Sequence, residues 1–244
     1  MEPIPPIPRG LAAALSEGPA PVVPRPAATV LLIDATAASW RVLMMGRPGG
    51  ASFAPGAYVF PGGSVHPEDA ELGDRDRAAA MRELFEEVGI LLARRPDRRF
   101  ARDPECRLLR ARLEAGAGWV ESLRALSLEP ALDRLVYLAR WVTPEGVSRR
   151  FDTRFYLARR PYGQTVHPQP GEVTAWRWIT PAEALAPDGP TMVHVTRRVL
   201  ESLAGEADAR RLIARLRRRP ETPAVTPRLL RTPDGRVQVV DDGA

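Results

Sequence analysis

The sequence predicts a mixed α/β domain, a β-sheet with helices packed on it. Apolar runs of strand length bounded by turn residues, such as "AATVLLIDA" and "WRVLMMGR", are the first sign. The second is a segment opening near Arg75 in which apolar residues recur three and four apart. The third is the interleaving of the two patterns along a chain of 244 residues, 44% apolar, which is enough for a core.

Residues 1–25 form a proline-rich arm with little periodicity. A domain follows over 26–205. Its first two strands are "AATVLLIDA" and "WRVLMMGR", with "TAAS" as the hairpin turn between them. "PGGASFAPGAYVFPGG" is a loop that contains the short strand "AYVF". The helix from Arg75 buries Ala78, Met81, Phe85 and Val88 on one face. Asp74 or Asp76 caps its start, and Gly89 stands where its end needs a positive φ. "CRLLRARLEAG" and "WVESLRALSL" add two helices, a helical insertion at about 100–130. "LVYLARWVTP", "RFDTRFYLARR" and "VTAWRWIT" return to strand, then "PAEALA" and "TMVHVTRRVLESLAG" to helix. A basic helix, "EADARRLIARLRRRP", and two short strands around a Pro-Asp-Gly turn make a C-terminal extension over 206–244.

Composition narrows the function. The chain has no apolar run of about eighteen residues, which argues against a membrane-spanning helix. It also lacks the layout of a secretory signal. Cys106 is the sole cysteine, which excludes an intrachain disulfide and a cysteine zinc site and fits a reducing cytoplasm. The net charge is +5 and every cation is arginine, whose forked donors suit phosphate. That bias also matches a GC-rich genome, so the reading favours a small polyphosphate ligand and sets nucleic acid aside as a partner.

The chemistry is concentrated in "FPGGSVHPEDAELGDRDRAAAMRELFEEVGI". Glu83, Glu86 and Glu87 are three and four apart, so they share one helix face, opposite Met81, Phe85 and Val88. Three like charges at this spacing repel, and a hard divalent cation with oxygen ligands relieves the repulsion. Such a cation polarises a phosphoryl oxygen and lowers the pKa of a bound water. Gly62 and Gly63 let backbone approach a metal or phosphate closely, and Arg82 can hold a carboxylate through a bidentate pair.

At these residues the sequence resembles the Nudix hydrolase family. "RELFEEVGI" meets the second half of the family signature at every constrained position, and "PGG" meets the start of the first half. The resemblance implies a mixed sheet sandwiched between helices and a loop–helix–loop that binds Mg²⁺ or Mn²⁺. It implies hydrolysis of a nucleoside diphosphate linked to another group. By that likeness Glu86 and Glu87 are the principal metal ligands, Glu83 a further ligand or base, Arg82 the residue that steers them, and the Gly63 carbonyl a further ligand. Eighteen residues separate Gly63 from Arg82, where the usual signature has thirteen. Glu68, Asp69 and Glu71 all stand near the place of the first signature glutamate.

Upstream, "RPGGASFAPGAYVFPGG" resembles a second signature found in the coenzyme A diphosphatases of the family. Arg47, Gly56 and "FPGG" keep its spacing, while Pro48 and Ser52 replace its Ser and second Arg. Lengthened signatures also occur in the acyl-CoA diphosphatase branch. The resemblance therefore points to CoA or acyl-CoA, with ADP-ribose, NADH and dinucleoside polyphosphates as alternatives. Arg47, Gly62 and Arg154 are the candidate substrate contacts, with Arg149 and Arg150 nearby in sequence. "GEVTAWRWITPAEAL" resembles the family's late segment, and Glu172 within it is a candidate base or ligand. His66, His167 and His194 lack metal-ligand spacing, and Trp119, Trp141, Trp176 and Trp178 read as core or pocket wall. Other readings are a non-catalytic binding or regulatory module of the same fold and an enzyme acting on nucleic acid. A homodimer is left open by analogy with the fold.

Overall fold

The computed structural model describes residues 22–35, 39–51, 54–231, 233 and 237–241. Most of the proline-rich arm, most of the "TAAS" turn, Ser52, and Asp234 and Gly235 of the C-terminal turn lie outside them.

Strand β1 (Arg25–Asp34) is the centre of the sheet because its run of Val, Leu and Ile is buried on both faces. It pairs in parallel with β8 (Phe151–Arg159) from Arg25↔Phe151 to Ile33↔Arg159. β8 pairs in turn with the antiparallel strand β7 (Val136–Val142). On its other side β1 meets β2 (Arg41–Gly46) only at Ile33↔Val42 and Asp34↔Arg41. The two then diverge, and the segment "YVFPGGS" fills the wedge between them. Its strand β3 (Tyr58–Val59) pairs with β2, and its strand β4 (Gly62–Ser64) pairs with β1. The divergence sets Gly62 opposite Thr29 and Gly63 opposite Ala28. β4 has no counterpart in the expectation from sequence, because a Gly-Gly-Ser run carries no strand signal of its own. β9 (Ala175–Ile179) runs antiparallel to β2 and completes the mixed sheet among the described residues.

Helices cover both faces. The apolar residues of α1 (Arg75–Val88) join those of α2 (Asp103–Glu114) and α3 (Trp119–Ala125) over Ala28, Val30, Leu32, Leu43 and Met45. A small two-stranded ribbon, β5 (Ala93–Arg94) with β6 (Glu129–Pro130), ties down the two ends of this insertion. The opposite face, Leu31, Ile33, Val42 and Met44, carries α4 (Pro181–Leu185), α5 (His194–Glu201) and α6 (Ala209–Arg218). The sandwich expected from sequence is thus present.

α6 is the basic helix that the sequence reading set apart in the extension. Its Ala209, Leu212 and Leu216 are buried in the same core as Val136 and Leu138, while Arg210, Arg211, Arg217 and Arg218 face outward. Beyond it, Val225 pairs with the open edge of β7, its N–H donating to Arg140 O at 2.8 Å. The last two strands, β10 (Arg228–Arg231) and β11 (Val237–Val240), pair with each other.

Candidate active site

The site is built on α1. Asp74 caps it, accepting from Arg77 N–H at 3.1 Å, and Gly89 ends it in the left-handed region at φ 74°. The lengthened spacer contains an ordered element: Pro67–Leu72 is a 3₁₀ helix, started by proline and capped at its N-terminus by the Asp69 carboxylate, which accepts from His66 N–H at 2.7 Å.

Arg82 is the centre of the arrangement. Its side chain is 1% exposed, and all five of its N–H donors are used. Nε and Nη2 form a bidentate pair with Asp69 at 3.0 and 3.1 Å. Nη2 also donates to Ser64 O at 2.8 Å. Nη1 donates to Glu83 at 3.0 Å and to Glu86 at 2.9 Å. The bidentate partner is therefore Asp69, not a glutamate of the cluster. Of the three acids near the first signature position, Asp69 alone is fully buried. Glu71 pairs with Arg124 at the surface, and Glu68 stands 4.0 Å from His66. Burial works to lower the Arg82 pKa, but the Asp69 hydrogen bond and the charges of Glu83 and Glu86 outweigh it and raise the value.

The three glutamates do not share one solvated face. Their side chains are 14% exposed at Glu83, 41% at Glu86 and almost buried at Glu87, because α1 lies flat against β4 and β1. Burial pushes the Glu83 carboxyl up to about 7, against the pull of Arg82. The same cause raises Glu86, again opposed by Arg82. Glu87 accepts from Gly62 N–H at 2.8 Å, yet burial still pushes it up to about 8. Arg47 opposes that rise and Glu172 adds to it, which puts both within electrostatic reach of Glu87.

Among the described residues, no three or more His, Cys, Asp or Glu side chains stand together as a ready metal cage. The positive charge that offsets repulsion between Glu83 and Glu86 is that of Arg82, and Glu87 turns to a backbone amide instead. This modifies the expectation of three carboxylates gathered around one point. The donor set still fits a hard divalent cation. It offers oxygen ligands only, and the burial that raises Glu83 and Glu87 disfavours their ionised forms, a cost that a bound cation would offset.

The two glycines make different close approaches. A Cβ on Gly63 would lie 2.6 Å from the Glu83 carboxylate, whereas one on Gly62 would meet Ala28 O at 2.5 Å and Thr29 Cα at 2.7 Å. Gly63→Ala is expected to move the flexible carboxylate and lower turnover with little loss of stability. Gly62→Ala must move backbone and is expected to cost about 1–3 kcal/mol, as overpacking does. Melting temperatures and turnover of both variants check this; equal destabilisation by the two would contradict it.

A second contact holds the other end of α1. His167 N–H donates to Val88 O at 2.9 Å, and Gln169 N–H donates to Glu87 O at 2.8 Å. Arg110, from the insertion, bridges Gln169 Oε1 at 3.0 Å and Phe85 O at 3.1 Å, with its guanidinium 5.1 Å from the Phe85 ring. The loop carrying Glu172 is thereby pinned to the helix carrying the glutamates. Neither Arg110 nor Gln169 was legible as a site residue, since 59 positions separate them. For Asp69 a signal did exist: it stands six residues after Gly63, where the family places a glutamate.

The remaining candidates are more scattered. Arg154 pairs with Asp76 at 2.8 Å, at the start of α1 rather than at the glutamates. Arg150 is buried and donates to Thr143 O and Val22 O, so it serves the fold, while Arg149 is exposed. His194 pairs with Asp241 at 2.7 Å, far in sequence from His66 and His167. Trp119 packs on Phe85 with ring centroids 5.7 Å apart, and Trp176 is 40% exposed. A groove of about 360 Å³ lined by Asp74, Arg77, Tyr137, Arg217 and Arg219 includes none of the candidate catalytic residues.

The family described as "NUDIX domain" matches residues 23–112, and that described as "NUDT19 Nudix domain" matches residues 75–188. A Caenorhabditis elegans protein named "Putative nudix hydrolase 7" is 35% identical over 161 residues, covering 66% of this chain and 53% of the relative. The human "Acyl-coenzyme A diphosphatase NUDT19" is 26% identical, covering 61% of this chain and 55% of the relative. The chain thus spans about half the length of the curated relatives it matches. The crystal structure of a NUDIX hydrolase from Alicyclobacillus acidocaldarius superposes with a TM-score of 0.68 at 27% identity, covering 79% of this chain and 96% of that one.

Proposed function

The chain belongs to the Nudix hydrolase family, and from that premise we propose that it hydrolyses the diphosphate bond of a nucleoside diphosphate linked to another group, with CoA or acyl-CoA preferred. The observation that carries the reading is the set of buried carboxylates, Glu83, Glu86 and Glu87, held by Arg82 and Gly62 beside the Gly63 close approach. CoA as the preferred substrate is supported by the likeness to an acyl-CoA diphosphatase and by the Arg47–Gly56–"FPGG" spacing.

Glu83, Glu86 and Glu87, with the Gly63 carbonyl, would hold Mg²⁺ or Mn²⁺. When bound, such a cation neutralises charge on the diphosphate and makes water a better nucleophile at neutral pH. The protein's own work is positioning and charge stabilisation. Arg82 fixes the directions of Glu83 and Glu86 while staying out of the reaction. Arg47 neutralises the diphosphate from the β2 side. Glu172 or Glu83 takes the proton of the attacking water, and the Gln169 and Arg110 contacts keep the Glu172 loop in place. Water attacks phosphorus, the bridging P–O bond breaks, and CoA would give 3′,5′-ADP and 4′-phosphopantetheine, acylated where the substrate is.

No helix among the described residues is long and apolar enough to cross a membrane. The substrate assignment is tested by incubating the full chain with Mg²⁺ or Mn²⁺ and CoA, acyl-CoAs, ADP-ribose, NADH or diadenosine polyphosphates, with products identified by mass. Release of 3′,5′-ADP from CoA or acyl-CoA at the highest kcat/KM is the expected result. A higher kcat/KM for ADP-ribose or a dinucleotide would move the preference there, and turnover of none of these compounds would refute the small-molecule reading.

A further inference from the structure

Trp176 is an exposed aromatic for which the core has no use. The strand register gives its direction. It stands opposite Met45, which stands opposite Val59 on the other side of β2. Directly opposed residues of antiparallel strands project to the same face. Met45 and Val59 both face the core under α1, so Trp176 emerges on the face of the sheet that carries the glutamates. Arg47 follows the last residue of β2, two residues beyond Met45, and its N–H donates to Ala57 O at 3.0 Å, so the ladder with β3 continues by one residue and alternation sets Arg47 on this face. It lies about 7 Å along the strand from the Trp176 row. Trp176 is 40% exposed. Among the described residues it has no ring or cation partner, whereas its neighbour Trp178 has Arg160 at 5.5 Å from its ring.

A cation near the glutamates and a bare indole one strand step away match the two ends of a nucleotide, since a ribose puts a comparable length between phosphate and base. We infer that Trp176 is the stacking platform for the substrate's nucleobase and sets the enzyme's preference for nucleoside over other diphosphates. The inference rests on the proposed diphosphate site. Stacking tolerates any base, because every base presents a π-face. Specificity for the group beyond the diphosphate must then come from elsewhere.

The test is equilibrium binding in Mg²⁺ by calorimetry, with ADP and inorganic pyrophosphate as probes of the full chain. Trp176→Ala is expected to weaken ADP roughly ten- to hundredfold, the worth of one base–aromatic stack, and to leave pyrophosphate unchanged. Trp176→Phe keeps a ring and is expected to retain most of the ADP affinity. The side chain lies at the surface, and an unchanged melting temperature confirms that each variant is folded. Unchanged ADP affinity in Trp176→Ala, equal weakening of both probes, or ADP binding no tighter than pyrophosphate to the unmodified chain would overturn the inference. The diphosphate site fails separately, if Glu87→Gln binds Mg²⁺ and pyrophosphate as the unmodified chain does.

Discussion

Glu87→Gln is expected to lower turnover of the preferred diphosphate substrate roughly a thousandfold or more while the protein stays folded. The amide oxygen of Gln can still accept from Gly62 N–H, the bond that Glu87 makes at 2.8 Å, so the β4–α1 contact survives. What is lost is the charge. Burial pushes the Glu87 carboxyl up to about 8, so its ionised form is costly in the folded protein without a cation. The sign follows from linkage. A carboxyl whose folded pKa is raised contributes stability that is full below the unfolded value, here 4.5, and is lost as pH rises through about 8. In chelator, the unmodified chain should therefore lose melting temperature between these pH values, and Glu87→Gln should lose less. Glu86→Gln should be as damaging to turnover, although its side chain is 41% exposed and is held by Arg82. Turnover in either variant within tenfold of the unmodified chain would remove these carboxylates from the mechanism.

Asp69→Ala should be the most destabilising change in the region, by about 3–5 kcal/mol. It removes both bonds of a bidentate pair in which neither side chain is accessible, 1% at Arg82 and 0% at Asp69. It also removes the acceptor for His66 N–H that caps the start of the 3₁₀ helix. The guanidinium keeps Glu83, Glu86 and Ser64 O, which places the loss toward the lower end of that range. Glu68→Ala and Glu71→Ala, both partly exposed, should stay within about 0.5 kcal/mol. Urea midpoints at unchanged m-value decide it. A loss below about 1 kcal/mol at Asp69 would mean that Arg82 is held by the glutamates alone. Turnover should also fall in Asp69→Ala, because Arg82 aims Glu83 and Glu86.

Much of the architecture was legible because local patterns carry it. The period of α1, its Asp74 cap and its Gly89 end follow from spacing and backbone preference, and all are present. The strands around "AATVLLIDA", "WRVLMMGR" and "RFDTRFYLARR" follow from apolar runs that two covered faces require. Other features depend on which distant residue arrives. β4 is a strand only because β1 offers a free edge where β2 has turned away. α6, read from its arginines as part of a basic extension, is part of the core because Leu212 and Leu216 find Val136 and Leu138.

The site divides in the same way. The residues by themselves determined that three carboxylates, an arginine and two glycines would meet on one helix and the loop before it. That is a matter of helical period and of side chains near in sequence. Only the tertiary structure decided which acid Arg82 would grip, since Glu68, Asp69 and Glu71 are chemically alike and the 3₁₀ turn selects the one that points inward. It also decided that Glu87 is buried against Gly62 while Glu86 remains accessible, and that Arg47 and Glu172 come within electrostatic reach of Glu87. The reason is physical. Period and propensity act over a few residues, but burial and charge pairing depend on how the sheet closes around the helix.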